Sequence, residues 1–179
     1  PSTARVVTLT PSTNTATANG TDAVTFAALV QDANGNLLGS GVSVTWSTTL
    51  GTLAGSTSTT DSSSTATMTL TSTTAGTATV SARGAVADPG KSASTSFVAD
   101  ASTAAITLSS ASSSLPGTGS STSALTARVA DAYGNALSGF NVNWSVSAGS
   151  LASINSVTTV SPTAVAITRG VTSFCVGSV

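Results

Sequence analysis

Residues 32–46 read DANGNLLGSGVSVTW, and residues 131–144 repeat this motif as DAYGNALSGFNVNW. The aspartates that open the two copies, Asp32 and Asp131, stand 99 positions apart. A domain of about 100 residues is the usual size of one β-sandwich, and similarity at a fixed period indicates a tandem array of equal units. The doubled motif therefore predicts two small modules of the same fold.

The repeat continues outside the motif. GTLA at residues 51–54 matches GSLA at residues 149–152 at an offset of 98, and Val176 is aligned with Val80 at an offset of 96. Insertions of one or two residues are tolerated in surface loops at little cost in free energy. The drift in offset is therefore expected to lie in loops, with the strands retained.

The composition excludes most catalytic chemistry. The chain holds 34 Thr and 33 Ser among 179 residues, but no Glu, no His, one Lys and one Cys. Without His there is no imidazole base, no Ser-His-Asp or Cys-His nucleophile and no His-ligated metal. The six Asp residues fall at turns and linkers, and a net charge of −1 with scattered basic residues argues against nucleic-acid binding. We expect no enzyme activity and no cofactor.

The apolar residues alternate with Ser and Thr, which is the period of half-buried strands. No run of about 18 apolar residues occurs, so membrane insertion is not expected. Many hydroxyl side chains with almost no thiols and little charge favour an extracellular or bacterial cell-surface setting. The chain opens Pro1-Ser2-Thr3 without Met or an apolar signal region, which predicts a processed or excised piece.

Short strands with turn signals between them are predicted throughout the first copy. They lie at residues 5–10, 13–17, 23–30, 42–47, 52–54, 65–70, 77–82 and 91–98. Residues 55–64 are predicted as a Ser/Thr loop around Asp61. Seven or eight such strands are typical of an immunoglobulin-like Greek-key sandwich.

The predicted organisation is two all-β, immunoglobulin-like sandwiches in tandem. The first spans residues 1–99, residues 100–103 form a short linker, and the second spans residues 104–179. The second copy has predicted strands at residues 105–108, 124–129, 140–146, 163–168 and 172–176, and it lacks a counterpart of residues 91–98. A linker this short restricts the relative motion of the two sandwiches. We therefore expect the chain to form an elongated rod.

The motif offers a candidate metal site at Asp32, Asn34 and Asn36, which alternate like the first ligands of a calcium loop. Against this interpretation, Gly stands at loop position four, Ser43 occupies position twelve, and copy two has Tyr133 where Asn34 would be a ligand. An Asn-Gly turn closed by the Asp side chain explains the same residues. The turn is the favoured interpretation, and no metal is expected.

The two Trp residues end matched strands. Trp46 shares the parity of Val44 along its strand, and Trp144 shares that of Val142. Residues of one parity lie on one face of a sheet, so these four side chains, together with Phe26, are predicted to form the structural core. An exposed Trp acting as a ligand platform is the alternative.

The single cysteine, Cys175, is aligned with Thr79 on the face opposite Phe174 and Val176. An odd Cys in a surface protein can pair between molecules. The alternative is a solitary inert thiol, since isolated cysteines usually behave as small hydrophobic residues.

With the strands in place, the chain resembles the bacterial Ig-like group 1 domains of the intimin and invasin adhesin family. The resemblance rests on DANGN with GVSVTW at residues 41–46, TATMTL at 65–70 and AGTATVSA at 75–82. It implies sandwich beads of a stalk that projects an adhesive tip, and the tip carries receptor binding. No tip is visible in this chain, so no binding residue is transferred.

Three functions remain open from the sequence. The first is a structural spacer of a bacterial surface adhesin or similar extracellular protein, whose partners are neighbouring domains or subunits. The second is a subunit of an extracellular filament or virion appendage assembled by strand complementation, suggested by the strand missing from copy two. The third is a carbohydrate- or receptor-binding module. A host receptor or glycan is otherwise expected only through regions outside this sequence.

Overall fold

The structure is a computed structural model that describes residues 3–116, 121–145, 163–169 and 175–176. The chain divides into two compact units, Pro1–Val98 and Ala99–Val179. Within these ranges the regular elements are β-strands and one short 3-10 helix. In the described residues, no helix has the length and apolar character needed to cross a membrane.

Unit 1 holds nine strands within its described residues. These are β1 (Arg5–Pro11), β2 (Thr15–Thr17), β3 (Val24–Gln31), β4 (Ser43–Thr48), β5 (Thr52–Leu53), β6 (Thr57–Thr59), β7 (Thr65–Thr71), β8 (Gly76–Arg83) and β9 (Lys91–Val98). One sheet has the order β1-β3-β7-β5, and the second has the order β2-β9-β8-β4-β6. The two sheets face each other across one core, as the alternation of apolar and hydroxyl residues predicts.

The first stretch of chain crosses from one sheet to the other. β1 pairs antiparallel with β3 as far as Pro11, whose nitrogen carries no hydrogen for a further ladder bond. The chain then turns, and β2 pairs in parallel with β9, with Thr15 opposite Ser96 and Thr17 opposite Val98. The first strand and its predicted continuation therefore belong to different sheets and join them along one edge.

The core of unit 1 follows the period of two. Along β3 every second residue is buried, and Val24, Phe26, Ala28 and Val30 have no solvent exposure. Val44 is likewise fully buried. Burying an aromatic or aliphatic side chain of this size contributes about 1.5–3 kcal/mol. The outward positions of β4 and β7 carry Ser and Thr, which keep those faces hydrated.

The predicted loop at residues 55–64 is wrong in part, because it contains strand β6. Thr59 lies opposite Ser43 and Thr57 lies opposite Thr45, so β6 extends the second sheet beyond β4. An edge strand that buries little needs no apolar alternation, and its pairing comes from backbone hydrogen bonds. That is why the sequence pattern did not reveal it.

Unit 2 holds five strands within its described residues. These are β10 (Ala105–Ser110), β11 (Thr122–Ala130), β12 (Trp144–Ser145), β13 (Thr163–Arg169) and β14 (Cys175–Val176). One sheet has the order β10-β11-β13, and β12 pairs with β14. A second core forms around Ala127, Val129, Leu137 and Val142. The predicted lack of a last strand concerns the end of the chain, which lies outside the described residues.

The register of β14 corrects the alignment of the repeat. In unit 1, Trp46 lies opposite Ala82, whereas in unit 2 Trp144 lies opposite Val176. Val176 is therefore the counterpart of Ala82, at an offset of 94, and its alignment with Val80 was wrong. Because strand side chains repeat every two residues, a shift of two positions preserves the face and leaves the pattern unchanged.

The predicted linker is a structured turn. Ala101–Thr103 form a 3-10 helix, and the Asp100 side chain caps it by accepting the N–H of Ser102 at 3.0 Å. The Ser102 hydroxyl donates to the same carboxylate oxygen at 2.6 Å. This segment lies within unit 2, directly before β10.

Candidate functional site

The Asp turn of unit 1 is closed by the aspartate itself. Asp32 Oδ1 accepts the N–H of Asn34 at 2.8 Å and of Asn36 at 2.9 Å, and its Oδ2 accepts Asn36 Nδ2 at 2.9 Å. The Asp32 N–H donates to the Asn36 carbonyl at 2.9 Å. Gly35 has φ of 84°, a conformation that a side chain would strain. These contacts form a compact Asx-type turn.

The turn of unit 2 repeats this geometry. Asp131 Oδ1 accepts the N–H of Tyr133 at 2.9 Å and of Asn135 at 2.8 Å, and its Oδ2 accepts Asn135 Nδ2 at 2.7 Å. Gly134 has φ of 84°, as Gly35 does. The change from Asn34 to Tyr133 leaves the turn intact, because that position contributes its backbone N–H.

The candidate metal ligands therefore lie in one turn and have other roles there. Asn36 presents its amide nitrogen to Asp32, and Asn34 donates a backbone N–H to the same carboxylate. Among the residues that the structure describes, no group of three or more His, Cys, Asp or Glu side chains is placed to hold a metal ion. The geometry is that of a carboxylate that orders backbone.

Hydrogen bonds lower the pKa of both aspartates. The side-chain amide of Asn36, followed by its backbone N–H, lowers the pKa of Asp32. At Asp131 burial acts to raise the pKa, but hydrogen bonds from Asn135, Asp100 and Tyr133 outweigh it, and the pKa is lowered. A carboxylate that accepts several N–H bonds is stabilised as the anion.

The two turns differ in what they hold. Asp131 Oδ2 also accepts the N–H of Asp100 at 3.1 Å, and the N–H of Ala132 donates to Thr103 Oγ1 at 3.1 Å. These two bonds tie the 3-10 segment before β10 to the turn. Asp131 is correspondingly only 5% exposed. In unit 2 the repeated turn therefore anchors the point where the chain enters the module.

A basic side chain completes the turn of unit 2. Arg128 Nη2 donates to the carbonyl oxygen of Gly134 at 2.7 Å. The counterpart of Arg128 in the first copy is Leu29, which has no donor in its side chain. Together with the bonds to Asp100 and Thr103, this gives the turn of unit 2 three hydrogen bonds that are not found among the described residues at the turn of unit 1.

The predicted core residues lie inside or against the two cores. Trp46 is 4% exposed, and its Nε1 donates to Ser58 Oγ at 2.9 Å. Trp144 packs partly buried against the second core beside Val142. Its Nε1 is buried without a hydrogen-bond partner in the described part of the chain. Trp46 therefore offers no open platform for a ligand.

Cys175 lies in β14, where its backbone is opposite Ser145. Since Ser47 lies opposite Ser81 in unit 1, the structural counterpart of Cys175 is Ser81, and its alignment with Thr79 was wrong by two positions. The side chain of Cys175 lies outside what the structure describes, and its pairing between molecules stays a prediction.

A second anchoring aspartate escaped the sequence reasoning. Asp88, in the loop between β8 and β9, is 4% exposed and accepts the N–H groups of Val6 at 2.9 Å, Gly84 at 2.8 Å and Gly90 at 3.0 Å. Burial acts to raise the pKa of Asp88, but these hydrogen bonds and the nearby Arg5 lower it. The run Asp-Pro-Gly signals a turn, whereas the bond to Val6 joins residues 82 positions apart.

Comparison with known proteins identifies the first unit. The sequence model of the bacterial Ig-like domain (group 1) family matches residues 6–98, about half of the chain. This range begins within β1 and ends with β9. The predicted resemblance and the predicted all-β immunoglobulin-like class are both confirmed. A comparison with curated protein sequences finds no match.

Solved structures agree with this result. InvD of Yersinia pseudotuberculosis is similar with a TM-score of 0.57 and 25% identity, over 91% of this chain and 48% of that one. The D00-D0 domain of intimin is similar with a TM-score of 0.50 and 29% identity, over 54% of this chain and 48% of that one. FdeC of Escherichia coli shares the fold, with a TM-score of 0.52 and 23% identity, over 91% of this chain and 55% of that one.

The chain spans about half the length of the InvD and intimin structures that it matches. The matched family range includes the first Asp turn, β4 with its buried Trp46, and the β8–β9 pair. The chain belongs to the bacterial Ig-like domain (group 1) family.

Proposed function

We propose that this chain is a non-catalytic spacer segment of a bacterial cell-surface adhesin or a similar extracellular protein. Its family membership supports an extracellular bacterial setting, and the similarity to the D00-D0 domain of intimin supports a place within an adhesin. Its immediate partners are neighbouring domains of a longer chain. Receptor binding by the whole adhesin belongs to other parts of that protein.

The anchored entry of unit 2 is the observation that carries the proposal. A spacer transmits force along the backbone, so each module must hold the segment by which the chain enters it. In unit 2 the Asp100 N–H is bound by Asp131 at 3.1 Å, and Thr103 Oγ1 is bound by Ala132 at 3.1 Å. The Asp100 cap adds internal order to the same segment. The turn at Asp131 thus has a mechanical role in unit 2.

Single-molecule pulling of the full chain from its two termini tests the spacer function. We expect two separate unfolding events, one for each unit, and a lower force for the event of unit 2 in the variant Asp131→Ala. Asp32→Ala is the matched control, because Asp32 closes its turn with donors from Asn34 and Asn36. A chain that extends without a discrete unfolding event would contradict the proposed spacer function.

Light scattering separates the spacer from the filament subunit. A spacer segment stays monomeric as the concentration rises, whereas strand complementation produces a ladder of oligomers. The variant Cys175→Ala, measured beside the original chain without reductant, tests pairing through the thiol. A concentration-dependent ladder that persists in this variant would favour the filament function.

A further inference from the structure

A basic pocket lies on the outer side of unit 1, where the β8–β9 loop meets the face of the second sheet. Its volume is about 630 Å³, which is within the usual range of about 300–1,000 Å³ for small-molecule sites. The residues that matter for its chemistry are Thr45, Ser47, Ser81, Arg83, Val86 and Lys91. All of them belong to β4, β8, β9 or the loop at residues 84–90.

The charge in this pocket is uncompensated. Arg83 and Lys91 are two of the five basic residues of the chain, and both side chains are exposed. Neither forms an ion pair or hydrogen bond with the residues that the structure describes. The nearest acid along the chain, Asp88, is buried and accepts three backbone N–H groups. The loop therefore turns its carboxylate inward and leaves two cations at the pocket.

Hydroxyl groups form the floor of the pocket and continue beyond it. Ser81 Oγ lies 2.7 Å from Ser92 Oγ, and both residues line the pocket. The next pair along β8 and β9 is Thr79 with Ser94, whose hydroxyls are 3.0 Å apart. Each hydroxyl can both donate and accept hydrogen bonds. A row of paired hydroxyls therefore leads away from the cationic end.

The backbone under this floor is already paired. β8 is hydrogen-bonded to β4 on one side and to β9 on the other. A peptide that recognises a sheet by strand addition needs an open edge, which this face does not offer. The face offers side-chain hydroxyls, two cations, and the apolar surfaces of Val86 and Pro89.

We propose that this pocket binds a carboxylate-bearing saccharide unit and that the hydroxyl row contacts the following units of an acidic polysaccharide. The Arg83 guanidinium suits a carboxylate through two parallel hydrogen bonds. The hydroxyl groups of the floor can hydrogen-bond to sugar hydroxyls. The apolar carbons of Val86 and Pro89 can pack against the C–H face of a sugar ring. The inference is independent of the spacer function, because it concerns one face of unit 1.

Calorimetric titration of the full chain with an oligogalacturonate tests the ligand class. Two matched ligands accompany it: a neutral oligoglucose of the same length and an oligoglutamate of the same charge. We expect binding of the oligogalacturonate alone, weakened by added salt, since exposed charges are screened. Equal binding of oligoglutamate would overturn the saccharide assignment, and no binding of the acidic sugar would overturn the site.

Two variants test the residues. Arg83→Gln together with Lys91→Gln should weaken oligogalacturonate binding about tenfold or more, because both charged hydrogen-bond donors to the carboxylate are lost. For a charge-matched comparison, the single variant Arg83→Gln is measured beside Arg5→Gln, since Arg5 is an exposed base of the same unit that does not line this pocket. An equal loss with Arg5→Gln would show general charge attraction and would overturn the proposal.

The hydroxyl floor has a separate test. Ser81→Ala with Ser92→Ala removes the hydroxyl pair from two outward positions of β8 and β9. The proposal expects weaker binding of the acidic sugar with little change in thermal stability. Unchanged affinity in this variant would exclude the floor from the site.

Discussion

Asp131 accepts the backbone N–H of Asp100 at 3.1 Å, across 31 positions of the chain. This bond joins the repeated turn to the segment that leads into the second module. The same carboxylate also orders its own turn through Tyr133 and Asn135. A motif that resembles a cation loop in sequence thus acts as an anchor for backbone.

Removal of the anchor should destabilise unit 2 specifically. Asp131→Ala leaves several N–H donors without their acceptor, and an unsatisfied buried donor costs about 1–3 kcal/mol. We expect a loss of unfolding free energy of that order and faster amide hydrogen exchange at residues 100–103. In the matched variant Asp32→Ala the exchange of residues 100–103 should not change. Equal protection of that segment in both variants would contradict the anchor.

Acid should destabilise the protein through its aspartates. The folded-state pKa values of Asp32, Asp61, Asp88 and Asp131 are all lowered from the ordinary value of 3.8. At a pH between the folded and the unfolded pKa, the unfolded chain therefore binds more protons than the folded one. The contribution of these carboxylates to the free energy of unfolding is full above the unfolded pKa and is lost as pH falls through the folded pKa. The chain has no Glu and no His, and His is the side chain whose ordinary pKa, about 6.5, lies between about pH 5 and about pH 7.

The measurement for this prediction is urea unfolding as a function of pH. The unfolding free energy should be flat between about pH 5 and about pH 7 and should fall below about pH 4. The variant Asp88→Asn cannot accept all three N–H groups, so we expect a loss of about 1–3 kcal/mol at neutral pH and a shallower fall in acid. If the unfolding free energy of this variant falls below about pH 4 as steeply as that of the original chain, Asp88 does not contribute to the acid sensitivity.

The hydrogen bond between Trp46 Nε1 and Ser58 Oγ, at 2.9 Å, ties the core to the edge strand β6. Ser58→Ala leaves the indole N–H unpaired in a largely buried position, and we expect a loss of about 1–2 kcal/mol. A double-mutant cycle with Trp46→Phe should give a coupling energy of about 1 kcal/mol. Additive losses would mean that the bond does not contribute.

Two glycines with similar backbone angles should respond differently to alanine. Gly51 has φ of 80°, and a Cβ there would lie 2.4 Å from the Thr71 carbonyl oxygen; Gly35 has φ of 84° and open space around it. Gly35→Ala should cost about 1–2 kcal/mol from backbone strain alone. Gly51→Ala adds a clash with backbone, so its loss of unfolding free energy should be clearly larger. Equal losses, measured by urea unfolding, would contradict this packing.

Much of the first module could be predicted from its pattern. The alternation around Phe26, Val44 and Trp46 indicates which face of each strand is buried, because strand side chains alternate between faces. The spacing of Asp32 and Gly35 indicates a turn, because that chemistry is local. Strand β6 was missed, since an exposed edge strand carries no apolar signal.

The sequence by itself determined the period of the strands and the local form of the Asp turns, because these depend on residues close together in the chain. Only the tertiary structure decided that Asp131 holds Asp100, that Asp88 holds Val6, and that Val176 lies opposite Trp144. Such contacts join distant positions, and strand register can shift by two residues without altering the pattern. The basic pocket also depends on the tertiary structure. The pairing of the strands brings Arg83 and Lys91 together, and Asp88 points inward, so that no acid lies between them.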